Sequence, residues 1–127
     1  MTMKTLLAAC LVGIAAFAAP AAAQTYPSRN IKFIVPFQAG SATDTLARIL
    51  GEHVSRTLGR PVIIENMAGA RGVLAAQNVA RAEPDGHTVL ISTNTTHGAN
   101  QSLLKSVPYD AVNGFEHLTK LGTITLA

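Results

Sequence analysis

Three short clusters of small and hydroxyl-bearing residues are where this chain could do chemistry. Gly40-Ser41-Ala42-Thr43-Asp44 follows the run Ile31–Phe37, and Gly69-Ala70-Arg71-Gly72 follows Val62–Glu65. Ser92-Thr93-Asn94-Thr95-Thr96 closes a third run that begins at His87. Hydroxyls and backbone N–H groups gathered at helix starts can hold a carboxylate without a buried cation. The same residues also serve as plain turns and helix caps, and the two readings carry about equal weight on chemistry alone.

Catalytic constellations are scarce. The sequence holds no G-x-S-x-G elbow, no G-x-x-x-x-G-K-[ST] loop and no G-x-G-x-x-G fingerprint. Its four histidines, His53, His87, His97 and His117, are dispersed without metal-ligand spacing, so no metal and no cofactor is expected. His53 falls on the expected apolar face of its helix and reads as a core imidazole. His87 and His117 read as structural, while His97 opens a helix beside the third cluster, within reach of a ligand. Asp44 reads as a cap on the first helical turn, with recognition of a ligand amine as the other use. Arg71 is the only cation in the three clusters. It reads as solvated surface that could also reach a distal carboxylate.

The elements that position these clusters follow from periodicity. Ile31–Val35 is β-branched and aromatic, with only Lys32 interrupting, and Pro36 ends its ladder. A helix is predicted over 43–58, its stripe formed by Leu46, Ile49, Leu50, Val54 and Leu58 and stopped by Gly59. Arg48 and Glu52 stand four apart on its polar face, in the less favourable order for a pair. A strand over 62–65, a helix to Arg81 with Val73, Ala76, Val79 and Ala80 inward, and a turn at Pro84-Asp85-Gly86 come next. A third strand over 87–92 and a short helix over 97–104 follow, then strands near 115–121 and 124–127. Alternating strands and helices predict an α/β fold with a parallel-rich sheet. All three clusters then share the edge at the carboxyl ends of the strands, where open sheets bind ligands.

Composition sets the compartment. Lys4, an apolar run from Leu6 to Ala18, and Ala21-Ala22-Ala23 read as a secretory signal peptide over 1–23. The run is too short for a span of ~20 residues, so no membrane insertion is expected after cleavage. Removing 23 of 127 residues leaves 104, and the one cysteine, Cys10, departs with the leader. Losing Lys4 takes the net charge from +3 to +2, too mild and too scattered for nucleic acid. The ending Thr123-Ile124-Thr125-Leu126-Ala127 looks like a strand in progress, so the sequence is expected to stop partway through a larger protein.

Tyr26-Pro27-Ser28-Arg29, Ile34-Val35-Pro36-Phe37 with Ala39-Gly40 and Asp44, and Leu58-Gly59 with Pro61-Val62 form an ordered set of motifs. Glu65-Asn66, Gly69-Ala70 with Gly72, Pro84-Asp85-Gly86, Thr93 with Thr96-His97 and Asn100, and Pro108-Tyr109-Asp110 with Phe115 continue it. Together they resemble the substrate-binding proteins of tripartite tricarboxylate transporters, the Bug family. The resemblance implies part of one lobe of a two-lobe periplasmic-binding-protein fold, type II-like, with 24–127 ending near the crossover to a second lobe. It implies a periplasmic receptor, not an enzyme, that binds a small carboxylate and delivers it to membrane permease subunits. By motif position, Phe37, Ala39, Gly40, Ser41 and Ala42 correspond to the first ligand loop. Gly69, Ala70 and Gly72 correspond to the second, and Thr93, Thr96 and His97 to the third.

Ser41, Arg71, Ser92 and Thr95 stand where the family usually has glycine, Met67-Ala68 replaces Arg-Pro, and Gln101 replaces proline. Two other readings remain: an exported α/β enzyme fragment, with acyl- or phosphoryl-transfer residues beyond Ala127, and a ligand sensor for a membrane kinase.

Overall fold

The computed structural model describes residues 25–123; the leader expected over 1–23 and the strand expected at 124–127 lie outside them. Three parallel strands form the sheet: β1 (Ile31–Val35), β2 (Val62–Asn66) and β3 (Thr88–Leu90), in the order β2-β1-β3. The central place of β1 accounts for its nearly unbroken apolar run, since a strand paired on both sides and covered on both faces meets little water. Lys32 is the exception, exposed and reaching Glu65 on β2 at 3.5 Å.

Helix α1 (Ala42–Leu58) links β1 to β2, and α2 (Val73–Ala80) links β2 to β3. Ile31, Phe33 and Val35 face α1 and pack with Ala47, Leu50, Val54, Val62, Ile64, Val89 and Ile91. Ile34 is fully buried on the opposite face of β1, where Leu90 of β3 joins Val73, Ala76, Ala80, Tyr109 and Ala111 in a second cluster.

The apolar stripe of α1 lies only partly where it is expected: Leu50 and Val54 pack against the core. Ala47 and Gly51 face the sheet, whereas Leu46 and Ile49 are 42% and 54% exposed and Leu58 is exposed as well. A Cβ on Gly51 would sit 3.2 Å from both Val62 Cγ1 and Ile64 Cδ1, so a small residue sets the approach of helix to strand. His53 is exposed on α1 rather than buried in the core. Arg48 pairs with Asp44 instead of Glu52, and Glu52 takes Arg56, the favourable acid-before-base order. Gly59 ends α1 in the left-handed conformation, its N–H donating to the Ser55 carbonyl.

The C-terminal third departs most from expectation. β3 covers 88–90 rather than 87–92. The last helix begins early, as a wide π-type turn over Thr95–Ala99 that runs into α3 (Asn100–Leu103). The segment 115–121 forms no strand; Asp110 instead accepts three hydrogen bonds from Val112 and Asn113 and folds the chain into a turn.

Candidate functional site

The loops that follow the strands are tied to the end of β1 by its own backbone. Val35 O accepts the Met67 N–H at 2.8 Å, and Ile34 O accepts the Ile91 N–H at 2.9 Å. Sheet pairing therefore continues past β2 and β3 and carries both later loops to the rim where the first loop begins.

In the first loop Ser41 is the N-cap of α1, its Oγ accepting the Asp44 N–H at 3.2 Å. Asp44 is not the cap itself. It lies buried in the first turn and accepts from Gly40 N at 2.8 Å, Arg48 Nε at 3.0 Å and Asn66 Nδ2 at 2.9 Å. Asn66 Nδ2 also donates to Phe37 O at 3.1 Å, which fastens loop, helix and β2 into one unit. The Arg48 guanidinium, helped by the Gly40 and Asn66 donors, holds the Asp44 carboxyl down to about 2. The carboxylate is spent inside the protein, and so is the Gly40 amide. At the start of α1 the helix field still favours negative charge, and the Ser41 hydroxyl keeps its own hydrogen for donation.

The second loop is a run of left-handed backbone: Gly69, Ala70, Arg71 and Gly72 have φ of 122°, 45°, 55° and 80°. Gly72 is buried where all three loops meet. A Cβ there would lie 2.7 Å from Thr96 Cγ2 and 3.0 Å from Pro36 Cβ. Asn100, wholly buried on α3, donates from Nδ2 to Arg71 O at 3.0 Å and locks the second loop to the third.

The third loop is closed by its own hydroxyl. Thr96 Oγ1 donates to Thr93 O at 2.9 Å and accepts the Thr93 N–H at 3.1 Å, while Tyr109 Oη donates to Thr96 O at 2.6 Å. Thr96 is thus a buried brace. His97 turns toward Phe115, His117 and Tyr109, with ring centroids 4.7, 5.7 and 6.4 Å away. Burial first, and then the neighbouring His117 charge, push its pKa below the ordinary imidazole value.

A cavity of about 390 Å³ opens between the loops, lined by Pro36, Phe37, Gln38, Ser41, Ala68, Gly69, Arg71, Gly72 and Thr95. Of the residues singled out from sequence, Phe37, Ser41, Gly69 and Gly72 line it. Ala39, Gly40, Ala42 and Ala70 sit on the same loops outside that lining, Thr93 and Thr96 brace it from behind, and His97 faces the aromatic cluster. Gln38 carried no signal in the sequence, Thr95 belonged to the third hydroxyl cluster and Ala68 stood out only as a departure from the family pattern, and Arg71 faces the cavity rather than solvent alone. A larger groove of about 480 Å³ runs between α2 and the sheet face bearing Lys32 and Glu65, away from all three loops. The chemistry of neutral donors belongs to the smaller cavity.

The model of the tripartite tricarboxylate transporter family receptor matches residues 46–127. The chain is 38% identical to BugT of Bordetella pertussis over 129 residues, covering 99% of this chain and 40% of BugT. Among solved structures it resembles MatC from Rhodopseudomonas palustris with bound malate, at 45% identity and a TM-score of 0.65, covering 68% of this chain and 29% of that one. It also resembles the periplasmic binding protein BugD, at 38% identity and a TM-score of 0.64, covering 72% of this chain and 30% of that one. The chain thus spans well under half the length of the relatives it matches. Its parallel α/β sheet is that of periplasmic binding proteins. With the family model matched over more than half of its residues, the chain belongs to the tripartite tricarboxylate transporter receptor family, to which its Bug relatives point as well.

Proposed function

We propose that this chain supplies the ligand-gripping rim of a periplasmic receptor, which captures a small carboxylated metabolite and hands it to the permease subunits of a tripartite tricarboxylate-type transporter. The observation that carries this reading is the cavity shared by three strand-to-helix loops at the carboxyl edge of a parallel sheet. Around it stand the start of α1, the Ser41 and Thr95 hydroxyls and the Phe37 wall, a set suited to an anion with an apolar body. Membership of the receptor family and the likeness to MatC, solved with malate, favour a carboxylate over other anions.

In this reading Phe37, Ala39, Gly40, Ser41 and Ala42 shape the first contact, and Gly69, Ala70 and Gly72 form the second. Thr93, Thr96 and His97 support the third from behind Thr95. The ligand is bound and released unchanged, without catalysis. The rest of the domain reading follows: residues 1–23 are a leader removed on export, and 24–127 belong to the first lobe, ending near the crossover to a second.

Isothermal titration of the two-lobe receptor with malate, succinate and adipate tests the receptor reading, since residues 24–127 supply part of one lobe and should not close on a ligand alone. At least one should bind with a Kd in roughly the micromolar range. Absence of binding across the panel, or chemical conversion of a bound acid, overturns the reading. Mass spectrometry of the periplasmic fraction tests export; a mature N-terminus at Gln24 is expected, and retention of residues 1–23 refutes the leader.

A further inference from the structure

We propose that Arg71 selects dicarboxylates, its guanidinium taking the second carboxylate of a ligand whose first is held at the start of α1. The proposal rests on the receptor reading and adds to it the residue that sets ligand class. Arg71 is the only charged residue among those that line the cavity. Among the described residues, Arg60, Arg71 and Arg81 have no carboxylate partner, and of these only Arg71 lines this cavity.

The backbone beneath it is held in a costly conformation. Ala70 and Arg71 both adopt positive φ without being glycine, which L-residues avoid because Cβ crowds the backbone. Two anchors fix this bend: the Asn100 amide donating to Arg71 O at 3.0 Å, and the Gly72 N–H donating to Gly69 O at 2.8 Å. Asn100 is fully buried, so the base of the arginine is pinned while its side chain stays exposed at the cavity. From that fixed base the guanidinium offers a planar fork that can grip a carboxylate through two parallel hydrogen bonds. The other lining groups are neutral, so a monocarboxylate satisfies them and leaves the guanidinium to water. Only an acid with a second carboxylate uses both ends.

The test compares succinate with monomethyl succinate by isothermal titration, in the two-lobe receptor, unmodified and as Arg71→Gly and Arg71→Lys variants. Glycine is at ease at a φ of 55°, so Arg71→Gly keeps the bend, and a thermal melt checks it. The unmodified protein should favour succinate by about ten- to a hundred-fold. Arg71→Gly should bring that ratio near one while leaving the half-ester's affinity within about threefold, and Arg71→Lys should fall between. If succinate and its half-ester bind the unmodified protein equally, or if Arg71→Gly leaves the ratio unchanged, the receptor reading stands and this proposal is overturned. If no carboxylate of either kind binds, the receptor reading fails and the proposal falls with it.

Discussion

Gly72 packs directly beneath the side chain of Thr96, so closely that a Cβ would approach Thr96 Cγ2 to 2.7 Å. Pro36 closes the other side at 3.0 Å, and both contacts involve groups that are themselves fixed in buried positions. The φ of Gly72 is +80°, so any L-residue there also bears backbone strain. Gly72→Ala should therefore lose about 2–4 kcal/mol, the sum of a left-handed residue and an overpacked contact. Urea denaturation measures this. A midpoint equal to that of the unmodified protein would show that the three loops do not converge on this atom.

Asp44 is the electrostatic hinge of the first loop. Its carboxyl titrates at about 2 in the folded protein, against 3.8 for the free side chain, chiefly because Arg48 donates to it. A depressed carboxylate pKa means the unfolded state binds protons first as pH falls. Its stabilising contribution is therefore complete above about pH 4 and disappears as pH drops toward 2. Asp44→Asn should lower the urea midpoint at pH 7 and flatten its decline between pH 4.5 and 2.5. An equally steep acid limb in the variant would assign the acid sensitivity to other carboxylates.

Asn100 does for the second loop what Asp44 does for the first. It is buried and spends one amide hydrogen on Arg71 O. Asn100→Ala leaves that carbonyl without its donor, at a cost of about 1–3 kcal/mol. The loss should be local as well as global. Hydrogen exchange at the Gly72 amide, which donates to Gly69 O, should accelerate more than exchange within β1. Equal acceleration everywhere would mean that Asn100 supports the core and not the bend.

The sequence conveys the sheet more clearly than the site, and particular residues explain the difference. β1 is legible because a central parallel strand must be apolar on both faces, and Ile31, Phe33, Ile34 and Val35 are. The phase of α1 is obscured because Ala47 and Gly51, which weigh little on any hydrophobic scale, share its contact surface with Leu50 and Val54, while the bulky Leu46 and Ile49 look outward. The bend at Ala70-Arg71 is invisible in the residue types. Neither is a glycine, and their left-handed backbone is imposed by Asn100 some thirty positions later. The early start of the last helix has a similar origin: Thr96 closes the turn through its own hydroxyl, against the weak helix propensity of Asn and Thr.

His97 links the rim to the aromatic cluster and should make the protein sensitive to mild acid. Its pKa lies below the ordinary 6.5 because its ring is partly withdrawn from water and because His117 adds a like charge when protonated. The groups around it, Tyr109 and Phe115 at its ring and Thr96 Oγ1 at 2.9 Å from Nδ1, bring no compensating carboxylate. A lowered imidazole pKa contributes stability that is fully present above 6.5 and lost as pH falls through the folded value. The urea midpoint should accordingly be higher at pH 7.5 than at pH 5.5, where Asp44 is still ionised and contributes nothing to the difference. His97→Gln keeps a hydrogen-bonding group near Thr96 but cannot titrate, so it should narrow that gap. Because His97 adjoins the brace that closes the third loop, the same interval should loosen the cavity. Carboxylate affinity should weaken between pH 7.5 and 5.5 in the unmodified protein and hold steady in His97→Gln. A variant that follows the unmodified protein through this interval would move the sensitivity to another group.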